Sequence, residues 1–297
     1  MIKGADLRIG DVAAAARDGR LRFVRHLAAV TSRRPAAEAD PESITALASA
    51  VVPDGGPIAL QVWASGSAGV RPESLRAMIE NRLVGAGRQI RRAGCRTVLG
   101  VCLGDRQVVV GLTRAPDALV DWPGGRVRLA DAPEQISRAE HKLEELFQLH
   151  PINVQGDALD LGASPGGWTR ILLRHGARRV HAVDPGEPAA TLARRKDVVW
   201  HRTTAGEYLH RARRGFSLVV NDMRMEPQQS VRTMISAADV LRPGGVIIVT
   251  LKISTNRPVE QVDRALDHLS RVYKITFARQ LHHNRNEVTV VGRLGRA

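Results

Sequence analysis

The 297-residue sequence predicts an α/β protein, with a mainly parallel, doubly wound sheet of seven strands whose last member runs antiparallel and a smaller α+β unit in front. Three observations carry that prediction. From residue 137 onward, short apolar runs alternate with amphipathic stretches, the pattern of a parallel sheet with helices on both faces. The chain closes on two strand-like runs with no helix between them, which requires one antiparallel member. Before residue 126 the pattern is mixed, with a hairpin signature and scattered prolines.

Residues 1 to 56 read as helix and loop: Val12–Ala16 is alanine-rich, and Pro35, Pro41 and Pro53 break up the remainder of this stretch. Asp54-Gly55-Gly56-Pro57 marks a turn. Ile58–Val62 then reads as a strand and Pro72–Arg92 as a basic helix, while Thr97–Leu103 and Gln107–Leu112 flank Gly104-Asp105 as a hairpin. This unit is assigned to residues 1–125, and Trp122-Pro123-Gly124-Gly125 leads into a linker at 126–136. The second unit, 137–297, opens with Ser137-Arg138-Ala139-Glu140, a capping-box pattern for a helix reaching about His150. Strands are expected at Asp157–Leu161, Val180–Val183, Val198–Trp200, Phe216–Asn221 and Val246–Leu251. Helices are expected at Gly167–His175, Ala189–Arg195, near Glu207, and at Gln228–Leu241 and Val259–Val272, with Arg242-Pro243-Gly244-Gly245 as a turn. The closing strands lie near Lys274–Ala278 and Val288–Gly292, joined by a polar loop.

Composition narrows the function classes. With 43% hydrophobic and 25% charged residues, the chain is ordinary globular material. Its longest apolar run, Val246–Leu251, is far too short to span a bilayer. No signal peptide is visible, and Asp6, Asp11 and Asp18 interrupt any transit peptide, so a cytoplasmic location is expected. Cys95 and Cys102 match no zinc spacing, and no metal is expected. A net charge of +14, from 44 basic against 30 acidic residues, points to a polyanionic partner. An arginine-biased genome explains part of that charge: only Lys3, Lys142, Lys196, Lys252 and Lys274 are lysine.

The strongest local signal is Asp160-Leu161-Gly162-Ala163-Ser164-Pro165-Gly166-Gly167-Trp168, between an apolar strand and a helix. A P-loop would end in Gly-Lys-Ser/Thr, which is absent. The dinucleotide fingerprint fails because Ser164 occupies its second glycine position. After the next strand comes Asp184, a carboxylate placed to accept both ribose hydroxyls of an adenosine.

The Asp-Leu-Gly-Ala-Ser-Pro-Gly-Gly-Trp segment resembles the cofactor loop of the FtsJ-like (RrmJ-type) RNA ribose 2′-O-methyltransferases. The resemblance implies a Rossmann-like class I sheet that uses S-adenosylmethionine. Asp160, Gly162, Ser164, Pro165, Gly166, Gly167, Trp168 and Asp222 would then border the cofactor, Gly166 and Trp168 would line its pocket, and Asp184 would hold the ribose. The family's acidic residue after the third strand is missing from Trp200-His201-Arg202-Thr203-Thr204-Ala205, which leaves the Thr204 hydroxyl for the adenine contact.

A ribose 2′-hydroxyl is a poor nucleophile at neutral pH and must lose its proton to a positioned base. A lysine can serve if its pKa falls below the ordinary value, whereas arginine cannot deprotonate. Lys252 ends the fifth predicted strand, Asp222 comes directly after the fourth, and Glu287 begins the last; all fall on the edge that carries the glycine loop. Lys142 sits in the second turn of the leading helix beside Ala139, Leu143, Leu146 and Phe147. Residue by residue these match the family's Lys-Asp-Lys-Glu tetrad, which implies that Lys252 is the base, that Asp222 and Glu287 orient it, and that Lys142 holds the ribose or lowers the pKa of Lys252. Asn221–Glu226, Ala278–Val290 and Trp122–Gly125 are similar to the RlmM branch, which modifies a cytidine ribose of 23S ribosomal RNA and carries an N-terminal THUMP-type RNA-binding domain. Residues 57–115 could be a reduced version of that domain. Arg88, Arg91 and Arg92 are either candidate phosphate contacts or a solvated helix face, and His282 and His283 either contact RNA or are simply solvated. The alternatives are a transfer-RNA or messenger-RNA-cap 2′-O-methyltransferase, a catalytically idle RNA-binding or ribosome-assembly protein and, more remotely, a nicotinamide dehydrogenase.

Overall fold

The computed structural model describes residues 8–65, 69–120, 122, 135–213 and 215–295. The chain divides into two compact units, Met1–Arg128 and Leu129–Ala297. Most of the linker expected at 126–136, and Pro123-Gly124-Gly125 before it, lies outside the described residues.

In the first unit, helix α1 (Ile9–Arg17) precedes a five-stranded sheet. Its order is β1 (Ser32–Pro35), β5 (Gln107–Arg114), β4 (Thr97–Gly104), β2 (Ile58–Ser65) and β3 (Ile90–Arg91). The expected hairpin is β4–β5, antiparallel from Thr97↔Arg114 to Leu103↔Val108, while β2 runs parallel to β4. Helices α2 (Pro41–Ala50) and α3 (Pro72–Gly85) bury Ile44, Ala48, Leu75 and Ile79 against Leu60, Leu99 and Val101. Two expectations need correction here. Pro41 does not break the chain; it starts α2 in the first turn, where its missing N–H costs nothing, and Asp40 caps the helix through the Glu42 and Ser43 amides. The basic helix stops at Gly85 rather than Arg92, because Gly87 turns left-handed and Ile90–Arg91 pairs with β2.

The second unit holds the seven-stranded sheet. Its order is β11 (Tyr273–Arg279), β12 (Glu287–Leu294), β10 (Leu241–Lys252), β9 (Phe216–Asn221), β6 (Gly156–Leu161), β7 (Ala177–Val183) and β8 (Val198–His201). Only β12 is antiparallel, to β10 on one side and β11 on the other. All six residues of β9 are buried, as expected for a central parallel strand covered on both faces. Helices α4 (Glu140–Leu149) and α5 (Gly167–Arg174) supply Leu143, Leu146, Trp168, Ile171 and Leu172 to a core with Val180, Leu218 and Ile248. The remaining helices are α6 (Ala190–Ala193), α7 (Ala205–Arg211), α8 (Pro227–Ser236) and α9 (Pro258–Ser270).

Several boundaries differ from expectation: the helix expected to reach Leu241 ends at Ser236, and Leu241 already belongs to β10. The regular part of α4 begins at Glu140 because the turn before it is closed by i→i+3 bonds, from the Glu140 amide to Ser137 and the His141 amide to Arg138. The expected capping box is half formed, with the Glu140 carboxylate accepting the Ser137 amide. Arg242-Pro243-Gly244-Gly245 falls inside β10 as an irregularity, since Leu241 pairs with Phe216 but Val246 with Leu218. Among the described residues no helix is long and apolar enough to cross a membrane.

Candidate active site

Strand register assembles one edge of the large sheet. Leu161 of β6 lies beside Val183 of β7 and Asn221 of β9, and Asn221 lies beside Val249 of β10. The next residues along the chain, Gly162, Asp184 and Asp222, therefore leave the sheet together at its carboxyl edge, where open α/β sheets place their sites. Asp222 falls level with Thr250. At the antiparallel seam Lys252, the last residue of β10, pairs directly with Glu287, the first of β12.

The four predicted tetrad residues meet there. Lys142 Nζ donates to both Asp222 oxygens at 3.1 Å and pairs with Glu287 Oε1 at 2.6 Å. Lys252 Nζ donates to Asp222 Oδ1 at 2.8 Å, to Thr250 Oγ1 at 2.9 Å, and to Glu287 Oε2. Each ammonium thus bridges both carboxylates. The side chains of Lys142 and Lys252 remain 15% and 21% exposed, so the cluster is closed by protein yet still reachable from solvent.

Electrostatics runs against one sequence expectation. Burial works to lower the pKa of Lys252, but the Asp222 charge and hydrogen bond, joined by those of Glu287, outweigh it, and the net shift is upward. Burial likewise works to raise the pKa of Asp222, yet the charges of Lys252 and Lys142 hold it below the usual carboxylate range. The expectation is a lysine tuned downward by a neighbouring lysine; two carboxylates in the same cluster reverse the sign, and the resting Lys252 is an ammonium.

The glycine loop sits beside this cluster. Gly162 and Gly166 both have positive φ, at 75° and 111°, and a Cβ would drive Gly162 into Met223 and Gly166 into Leu192. The Asp184 carboxylate accepts the Ser164 amide at 3.1 Å and the Gly186 amide at 2.7 Å. The Ser164 hydroxyl donates to the Glu187 carbonyl, and the Pro165 carbonyl accepts the Ala189 amide. Asp160 is fully buried beneath the loop and accepts the Thr169 hydroxyl at 2.7 Å. Burial, reinforced by the charges of Asp222 and Asp184, pushes its carboxyl up to about 7.

Four predicted cofactor contacts are put to other uses, the buried Asp160 with its Thr169 partner being the first. Trp168 is only 4% exposed; its ring lies in the core and its Nε1 donates to the Ala139 carbonyl at 2.8 Å, tying α5 to α4. Gly167 is packed so closely that a Cβ would collide with the Ser137 hydroxyl. Thr204 is the N-cap of α7, with its hydroxyl engaged by Glu207 in a capping box. A cavity of about 520 Å³ lies elsewhere, lined by His181, His201, Tyr208 and Arg211 among others, and includes none of the predicted site residues.

Sequence reasoning missed Thr250, Glu145 and Asn284. Thr250 is fully buried and donates to Asp222 while accepting from Lys252. Its signal was available, since residues two apart on a strand share a face. Glu145, buried on α4, accepts the amides of His282 and His283 and the His283 ring. Burial works against that charge, yet the His283 and His282 bonds hold the Glu145 carboxyl below its ordinary range. His283 is therefore an interior partner rather than a solvated side chain. Among the described residues, no group of three His, Cys, Asp or Glu side chains is placed to hold a metal ion.

Comparison with known proteins bears on the same region. A family model described as FtsJ-like methyltransferase matches residues 135–293, just over half of the chain. Ribosomal RNA large subunit methyltransferase M of Halorhodospira halophila is 38% identical over 179 residues, covering 58% of this chain and 51% of that protein. The protein of the same name from Pseudomonas putida is 31% identical over 221 residues, covering 69% and 60%. That of Sodalis glossinidius is 35% identical over 185 residues, covering 57% and 49%. The chain thus spans about half to three fifths of the length of these curated relatives. The glycine loop, the lysine–carboxylate cluster and the strand order that joins them all fall inside the matched region, and the chain belongs to the FtsJ-like methyltransferase family.

Proposed function

We propose that the protein is an S-adenosylmethionine-dependent RNA 2′-O-ribose methyltransferase acting on large-subunit ribosomal RNA. The observation that carries this reading is the convergence of Lys142, Asp222, Lys252 and Glu287 within hydrogen-bonding reach at the carboxyl edge of the sheet.

The chemistry of the loop fits a nucleoside-bearing donor. Asp184 spends two acceptor sites on backbone amides, and a carboxylate has lone pairs left for two ribose hydroxyls. Gly162, Ser164, Pro165 and Gly166 shape the edge between Asp184 and Asp222. When bound, S-adenosylmethionine supplies a methyl group activated by a sulfonium. The chain's own residues prepare the other reactant. Lys252, once neutral, takes the proton from the ribose hydroxyl at Nζ. Asp222, Thr250 and Glu287 fix where that nitrogen sits, and Lys142 balances the second carboxylate charge and faces the incoming ribose. Because the two carboxylates hold Lys252 protonated at rest, its proton must leave before each turnover.

The net charge of +14 supports an RNA partner. We assign the first unit, residues 1–125, to RNA binding as a reduced THUMP-like domain joined by residues 126–136 to the catalytic unit, 137–297. Arg91 and Arg92 are exposed and offer phosphate contacts, whereas Arg88 is engaged by Asp54. The test is methyl transfer from labelled donor to large-subunit ribosomal RNA from cells lacking the protein, followed by digestion to nucleosides. A single 2′-O-methylated nucleoside is expected. Label on a base would overturn the assignment, and label on transfer RNA alone would redirect the substrate.

A further inference from the structure

Glu287 reaches the cluster from the start of β12, and the loop closing β11 sets where that start lies. This loop is built as a rigid piece. Leu281 is 1% exposed and plugged into the core; Asn284 is buried and donates from Nδ2 to the Glu287 carbonyl at 3.1 Å and to Thr289 Oγ1 at 2.9 Å. The Asn286 carbonyl accepts the amide of Ile253, the residue after Lys252, at 2.7 Å. Between Leu281 and Asn284 the loop has no strand partner, and its two amides end on one buried carboxylate. Glu145 accepts His282 N at 2.7 Å and His283 N at 2.8 Å, and its Oε2 also takes the His283 ring at 2.7 Å.

Glu145 lies three residues beyond Lys142 on α4, so the two side chains leave the same helix face. One holds the carboxylate of Glu287; the other holds the loop that delivers Glu287. We propose that Glu145 is a positioning residue for methyl transfer, clamping the β11–β12 loop so that Glu287 stays in reach of both lysines. This inference rests on the catalytic reading above, because positioning matters only if Lys252 is the base. A purely structural role would show as lost stability with unchanged chemistry.

Glu145→Gln keeps the size of the side chain but sets an amide N–H₂ against a backbone N–H, so the loop has to shift. His283→Ala removes the ring contact and leaves both amide acceptors in place, a milder change that guards against a misfolded first variant. In full-length protein, Glu145→Gln is expected to lower kcat about tenfold or more, the scale on which sub-ångström misplacement acts, with donor affinity unchanged; His283→Ala should fall between it and the parent. The second readout needs no activity. With five lysines in the chain, ¹³C NMR of labelled lysine can follow Lys252 once its signal is assigned by its loss in Lys252→Arg, and its titration should move to lower pH in Glu145→Gln as Glu287 withdraws. A Glu145→Gln variant that melts earlier but keeps both the parent kcat and the parent Lys252 titration would overturn the proposal. Should the parent transfer no methyl to RNA, the function reading fails, while the NMR titration still decides whether Glu145 places Glu287.

Discussion

Two aspartates on neighbouring strands meet opposite fates. Asp222, just past β9, is largely taken out of water and Asp160, within β6, fully so, and each accepts a threonine hydroxyl, from Thr250 and Thr169 respectively. Asp222 has in addition two ammonium groups at about 3 Å and titrates below the ordinary range. Asp160 has no cation beside it among the described residues, senses the charges of Asp222 and Asp184, and is pushed up to about 7. Burial alone does not set the charge of a carboxyl; the partner does. Asp222 is thereby kept as an anion that can orient an amine, while Asp160 is kept near neutrality as an anchor under the glycine loop.

The largest expected effect comes from the amine that makes Asp222 different. Lys252→Arg preserves the positive charge and the pairing with Asp222 and Glu287, but a guanidinium cannot give up its proton. Single-turnover methyl transfer should drop by about 10³-fold, within the span general-base removal usually covers, with donor binding intact. The parent rate should climb steadily with pH through the neutral range and beyond, because the raised pKa of Lys252 leaves few molecules with a free amine. An arginine variant within tenfold of the parent would mean that Lys252 is only a charge, and the contrast between the two aspartates would lose its catalytic meaning.

Asp160 tests the other side. Its folded-state pKa lies above its unfolded value, so folding favours the protonated carboxyl. That contribution is complete below the unfolded pKa, near 4, and is lost as pH rises through about 7. Asp160→Asn stays neutral throughout and should gain on the parent between pH 4 and 7. The plateau advantage should be on the order of 2 kcal/mol, after allowing for burial of the new amide. Thermal melts of the two proteins across that range check it, and parallel curves would show that Asp160 has a cation-like partner after all.

Legibility tracks the distance over which each role is decided. The glycine loop is contiguous, so it can be read as a motif, yet Trp168 and Gly167 serve packing against α4, a partner that spacing does not reveal. The tetrad is scattered over 146 positions, from Lys142 to Glu287 counted inclusively. It is still legible, because strand ends in an alternating fold fall on one edge. Glu145 is not, since its meaning lies in two amides some 137 residues away. In the first unit, Ser32–Pro35 carries no apolar signal and becomes a strand only by pairing with β5. The sign of the Lys252 shift escapes sequence reasoning for the same reason: a sequence supplies the charges, and only geometry shows that both carboxylates touch the amine.

The smallest effects come from the feature the two aspartates share. Thr250→Val removes the hydroxyl that links Asp222 to Lys252 but leaves both lysines, so Asp222 stays ionised and the amine loses one of three anchors. About a fivefold drop in kcat is expected, close to the 1 kcal/mol that one such bond contributes, with little change in melting temperature. Thr169→Val should do the reverse. Its carboxyl partner, Asp160, has no cation to fall back on, so stability falls by about 1 kcal/mol while single-turnover chemistry, with donor saturating, is unchanged. If both variants lose rate equally, the loop and the cluster form one mechanical unit, and the division between an anchoring aspartate and a catalytic one does not hold.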